Sequence, residues 1–97
     1  MKFFVATDHA GIELKDYTVS LLKKKGHEVI DLGPFTIDRV DYPDYAHKLC
    51  EEVLDDERTY GVLICGSGIG MSMAANRHPG IRAALCHDAY TAKVARG

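Results

Sequence analysis

The run "YGVLIC", residues 60–65, limits the possible folds more than any other stretch. It is short, β-prone and apolar at successive positions, which is the pattern of a strand covered on both faces. It leads into a glycine-rich turn rather than a hairpin signal, so the next element is a helix and not an antiparallel partner. Such a strand needs layers of helix above and below it.

The rest of the chain supplies those layers. "KFFVAT" (2–7) and "EVIDLG" (28–33) read as two further short strands. Between them Leu14, Tyr17, Thr18, Leu21 and Leu22 recur at helical spacing, with Lys23, Lys24 and Lys25 as a solvated last turn and Gly26 as the stop. After the polar loop "PFTIDRVDYPD", Pro43 suits a first helical turn. Tyr45, Ala46, Leu49, Cys50, Val53 and Leu54 then form an apolar stripe, which makes Cys50 a core thiol and leaves His47 on the surface. "GIGMSMAANRH" reads as a short helix broken by Pro79-Gly80, "IRAALC" (81–86) as a fourth strand, and "DAYTAKVARG" as the start of a fourth helix with Asp88 as N-cap. The order β-α-β-α-β-α-β-α predicts a three-layer α/β/α, Rossmann-like parallel sheet of four strands in one domain spanning residues 1–97. The last helix reaches Gly97 without a closing strand, so the chain is expected to be the front portion of a longer domain.

Composition narrows the function classes. With 97 residues, 46% of them hydrophobic, and a net charge of −2, the chain can bury a core, and it offers no electrostatic reason to bind nucleic acid or an anionic membrane. No apolar run approaches the ~18 residues of a membrane span. "MKFFVATDHAG" meets Asp8 and His9 too early for a secretory h-region, and a cytoplasmic location is the simplest expectation. Cys50, Cys65 and Cys86 are odd in number and form no C-x-x-C pair, so structural zinc and a disulfide framework both lack support.

Ligands of open parallel sheets bind beyond the carboxyl ends of the strands. Three polar clusters are expected there: Thr7-Asp8-His9, Cys65 to Gly70, and His87-Asp88. In "LICGSGIGM" the small residues Gly66, Ser67, Gly68 and Gly70 let successive backbone N–H groups face one concavity in front of a helix start, which suits a phosphate or a reaction oxyanion. Three readings fit this loop. One is a dinucleotide turn, although the glycines read G-x-G-x-G instead of G-x-G-x-x-G and follow the third strand rather than the first. Another is a tight turn with a buried thiol. The last is an enzyme that uses Cys65 beside an anion hole, where backbone donors would lower the ordinary thiol pKa of about 8.5. His27, His47 and His78 carry no spacing signal and read as surface residues, His87 is as suited to fixing its loop as to binding, and Asp8 and His9 stand at a strand-to-helix turn where function and structure are equally served.

Taken together, "ATDHAGIELK", "VIDLG", "DYPDYA", "GVLICGSGIGMSMAANRHPGIRAALC" and "DAYTAKVAR" occur in an order that resembles the type B ribose-5-phosphate isomerase family, which includes galactose-6-phosphate and allose-6-phosphate isomerases. The resemblance implies interconversion of ribose 5-phosphate and ribulose 5-phosphate through an enediolate, in the pentose phosphate pathway, with no metal and no organic cofactor. It makes Cys65 the proton-transfer base and gives the amides of Gly66, Ser67, Gly68, Ile69 and Gly70 the oxyanion. It makes Ser67 the hydroxyl that assists proton movement between the sugar oxygens. Asp8 falls near the ring oxygen, His9 nearer the phosphate, and Tyr42 along the sugar pocket. A second subgroup has glutamate where this chain has Met71, so Cys65 with Met71 indicates the cysteine subgroup. Family members are longer and act as homodimers or higher homo-oligomers. Their ring-opening histidine, phosphate-binding arginines, dimer-forming helix and a fifth strand, between strands three and four, follow the position of Gly97. A hexose 6-phosphate isomerase and a non-catalytic sugar-phosphate-binding fragment remain as alternatives.

Overall fold

The structure is a computed structural model and describes residues 1–8, 11–34, 42–56, 58–65, 69–84, 86 and 89–96. Strand β1 (Lys2–Thr7) leads to helix α1 (Ile12–Lys24), strand β2 (Glu28–Gly33), helix α2 (Tyr42–Asp55), strand β3 (Thr59–Ile64), and helices α3 (Ile69–Asn76) and α4 (Ala89–Arg96). The strands form a parallel sheet in the order β2-β1-β3, with Phe4 opposite Ile30 on one side and Gly61 on the other.

Alternation along β1 divides the core between the two faces. Phe4 and Ala6 pack with Leu49 of α2, against Ile30, Leu32, Val53 and Leu63. Val5 packs with Val19 of α1 and Ile64, against Phe3, Leu22, Val29 and Val62. Helices therefore cover opposite faces of the sheet, although Tyr60, at 41%, and Gly61 in the run at 60–65 stay exposed. Gly61 is needed at the α2 face, because a Cβ there would stand 2.5 Å from Leu49 Cδ2.

Two expectations are corrected. The first concerns α1: Leu14 is 56% and Tyr17 65% exposed, while Lys15 at 0% and Val19 face the sheet. The helix is turned by about one position because Lys15 Nζ donates to both carboxylate oxygens of Asp31, at 3.0 and 2.9 Å, and to Pro34 O at 3.2 Å. A paired lysine can thus occupy a face that an apolar pattern would assign to leucine.

The second concerns "IRAALC". Residues 81–84 and 86 form no strand, so the described sheet has three strands and not four. A strand exists only by pairing. Here the neighbour is a side chain: Asn76 Oδ1 accepts from Ala83 N at 2.8 Å and Asn76 Nδ2 donates to Ala83 O at 2.9 Å. A cleft of about 750 Å³ lies along β3 and is also lined by Leu49, Val53, Ala75, Ile81 and Ala84.

Other expectations fit. Lys23 and Lys24 close α1, and Gly26 follows at φ 89°. Pro43 lies in the first turn of α2, His47 is exposed, Ala46, Leu49 and Cys50 are buried, and Leu54 alone leaves the stripe at 43% exposure. Asp88 lies outside the described residues.

Candidate active site

In the strand order β2-β1-β3 the chain moves to one side of β1 and then to the other. The carboxyl ends of β1 and β3 therefore border the crevice where such sheets take ligands. Thr7, the last residue of β1, pairs with Ile64, the last of β3. Thr7 Oγ1 donates to Ile64 O at 2.7 Å, and Asp8 N donates to the same carbonyl at 3.2 Å. Asp8 and Cys65, which leave the paired residues, are thus fixed beside each other by one doubly used backbone oxygen.

The start of α1 closes on this point. Gly11 N donates to Asp8 O at 3.3 Å, and Lys15 N to Gly11 O at 2.8 Å. A Cβ on Gly11 would overlap Thr7 Oγ1 and stand 2.8 Å from Ile64 Cγ2. Glycine is required here because three elements meet with no room for a side chain. The Lys15–Asp31 pair fastens the opposite side of α1, and Asp31 Oδ1 also accepts Gly33 N at 2.9 Å. One charged contact therefore links the helix that follows Asp8 to the strand end that leads toward Tyr42.

The three thiols differ. Cys50 is buried, and burial raises its pKa above the ordinary value, which keeps it a neutral core group. Cys86 is exposed, and Cys65 is partly exposed at the strand end. Met71, at the position of the alternative base, is buried and has no titratable proton. Among the described residues no group of three or more potential ligands could hold a metal ion, and no helix is long and apolar enough to cross a membrane.

Of the residues singled out from sequence, Asp8 and Cys65 are brought together. Tyr42 begins α2, while Ile69 and Gly70 begin α3 directly after the loop. His9, Gly66, Ser67, Gly68 and His87 lie outside the described residues. The Lys15–Asp31 clamp and the Asn76–Ala83 contact were missed. The available signal for the clamp was a lysine four residues before Val19 in a helix that must cover a sheet.

The sequence profile described as Ribose/Galactose Isomerase matches residues 3–97. Ribose-5-P isomerase B of Listeria innocua is 45% identical over 96 residues, covering 99% of this chain and 65% of that protein. Ribose-5-phosphate isomerase B of Escherichia coli is 43% identical over 95 residues, covering 98% and 64%. The solved structure of ribose-5-phosphate isomerase B from Clostridium thermocellum superposes with a TM-score of 0.93 at 47% identity, covering 99% of this chain and 65% of that one. That from Thermotoga maritima gives 0.93 at 49% identity, covering 98% and 66%. The chain thus spans about 65% of the length of the relatives it matches. With the strand ends, the cysteine and the family profile in agreement, the chain belongs to the ribose/galactose isomerase family.

Proposed function

We propose that residues 1–97 are a single sugar-phosphate isomerase domain lacking its C-terminal portion, and that the complete protein interconverts ribose 5-phosphate and ribulose 5-phosphate. The observation that carries this reading is the Ile64 carbonyl, which ties Thr7 and Asp8 to the strand that presents Cys65. The names of the relatives support the pentose phosphate as substrate.

In the proposed reaction the Cys65 thiolate takes the proton from C2 of the open-chain aldose. The C–H electron pair becomes the C1=C2 double bond, and the C1 carbonyl oxygen takes the negative charge. The N–H groups of Gly66, Ser67, Gly68, Ile69 and Gly70 hold that oxyanion, supplying the stabilisation a weak carbon acid needs. Ser67 assists movement of the proton between the two sugar oxygens, and the thiol returns its proton to C1 to give the ketose. Asp8 sits at the ring oxygen, His9 toward the phosphate and Tyr42 along the sugar. The loop carries the charge, so the chemistry needs no metal and no cofactor.

A fifth strand, from the part of the relatives' length that this chain does not span, pairs with β3 in this proposal. The cleft there is lined by Val62, Leu63, Ile64 and Ile81, an apolar wall suited to a strand, and also by Cys65, Ser72 and Arg82, so it reaches the thiol. The complete protein is a cytoplasmic homodimer or higher homo-oligomer that binds neither nucleic acid nor membrane.

The test is turnover of ribose 5-phosphate, and of galactose and allose 6-phosphates, by this chain and by one extended to the relatives' length. Activity in the longer form alone is expected, with Cys65→Ala reducing its kcat by about 10²–10⁴-fold while substrate affinity changes little. Near-normal kcat and solvent-deuterium incorporation in Cys65→Ala would remove the thiol from the mechanism.

A further inference from the structure

His47 and His78, far apart in sequence and on separate elements, meet on the surface where α2 faces the end of α3. His47 Nδ1 lies 2.8 Å from His78 Nε2, with ring centroids 5.0 Å apart and planes inclined by 33°. The outer nitrogen of each ring has a partner that can only accept. His47 Nε2 lies 2.6 Å from Glu51 Oε1, one helical turn further along α2. His78 Nδ1 lies 3.2 Å from Ala75 O, which also accepts the His78 backbone N–H at 3.1 Å.

These partners fix the tautomers. A carboxylate and a carbonyl supply no hydrogen, so His47 Nε2 and His78 Nδ1 must each carry one. In the neutral rings the facing nitrogens are then both lone pairs. Two lone pairs at 2.8 Å repel unless a cation lies between them, either a proton carried by one of the rings or a metal ion. The outer contacts are of the kind that orient histidine ligands in metal centres, where the second N–H is given to a carboxylate or a backbone carbonyl. Glu51 adds negative charge, and the carboxyl end of α3 adds partial negative charge beside His78.

We infer that His47 and His78 form a two-imidazole site for a divalent transition metal of the zinc class, held by His47 Nδ1 and His78 Nε2 and oriented by Glu51 and Ala75 O. No third described residue joins the ligand set, so water completes the coordination. Metal–nitrogen bonds of about 2.0–2.1 Å in tetrahedral geometry put the two nitrogens about 3.3 Å apart. The rings therefore part by roughly 0.5 Å, which the His47 side chain, 59% exposed, can accommodate. The site is separate from the Cys65 loop, and the metal takes no part in isomerisation.

The experiment is a titration of the 97-residue chain with zinc chloride, read from imidazole 15N shifts so that binding at thiols is distinguished. His47 Nδ1 and His78 Nε2 are expected to shift together and to saturate with one metal per chain. His47→Gln or His78→Gln, each confirmed as folded by circular dichroism, should abolish the response of the remaining ring. Glu51→Gln should keep the fold and weaken binding by about 10–100-fold, as outer-sphere partners do. Shifts that follow pH but not millimolar zinc would mean that the cation is a shared proton and would overturn the metal site. An unchanged zinc response of His78 in His47→Gln would overturn the pairing.

Discussion

The chain around β1 and the chain beyond Asn76 contain similar residues yet reach different structures. "KFFVAT" and "IRAALC" are both short, β-prone and flanked by polar turns. The first lies between two parallel neighbours, with Val5 and Ala6 at 0% exposure. Among its described residues the second meets the amide of Asn76 and, through Ile81 N, the carbonyl of His78, and α4 beyond it leaves Tyr90 and Val94 facing solvent. A strand signal records what a segment is able to do, and pairing decides whether it does so. The candidate site joins the two regions: Asp8 and Cys65 follow the paired ends of β1 and β3, and Cys65 also lines the open cleft beside β3.

The largest effect expected on the well-packed side comes from Asp31→Asn. It leaves the Lys15 ammonium, 1% exposed, with the more exposed Asp16 carboxylate at 3.3 Å in place of its closest counter-charge, and should lower unfolding free energy by about 3–5 kcal/mol in urea titration. Lys15→Met should cost clearly less, because Asp31 is 22% exposed and keeps the Gly33 N–H. Equal losses would mean that charge burial is not what fixes α1.

Leu49→Ala comes next. It empties the space between Phe4, Ala6 and Gly61 and should cost about 2–5 kcal/mol. Val94→Ala in α4 should stay within about 0.5 kcal/mol, as exposed substitutions do. A loss at Val94 approaching that at Leu49 would erase the contrast between the two regions.

Thr7→Val tests the link between fold and site. It removes one of the two donors on Ile64 O while nearly keeping shape, and about 0.5–1.5 kcal/mol is expected. In a chain of the relatives' length, kcat for ribose 5-phosphate should fall more than this loss of stability explains. Unchanged turnover would show that the carbonyl tie does not position Cys65.

The smallest effect is one of pH. The Asp56 carboxyl is held below the usual carboxylate range, first by the Arg58 backbone N–H at 3.0 Å. A folded-state pKa below the unfolded one adds stability above the unfolded value, and that contribution is lost as pH falls through the folded one, here below about pH 4. Asp56→Asn should flatten that acid limb slightly in thermal melts. An unchanged limb would leave the turn before β3 without a role in acid stability.

The sequence by itself determined the alternation of strand and helix as far as α3, the placing of helices on opposite faces of the sheet, the core position of Cys50, and the choice of Asp8 and Cys65 as neighbours at one edge. Each of these follows from local periodicity or from the rule for where parallel strands end. Only the tertiary structure decided the rest. The face that α1 turns inward depended on a partner for Lys15 at Asp31, sixteen residues away. The state of residues 81–84 and 86 depended on whether a neighbouring backbone was present to pair with. The meeting of His47 and His78 depended on the packing of α2 against the end of α3. Periodicity along a chain reports which residues share a face. It does not report which charge, backbone or ring will arrive opposite them, because contacts between segments distant in sequence carry no local signature.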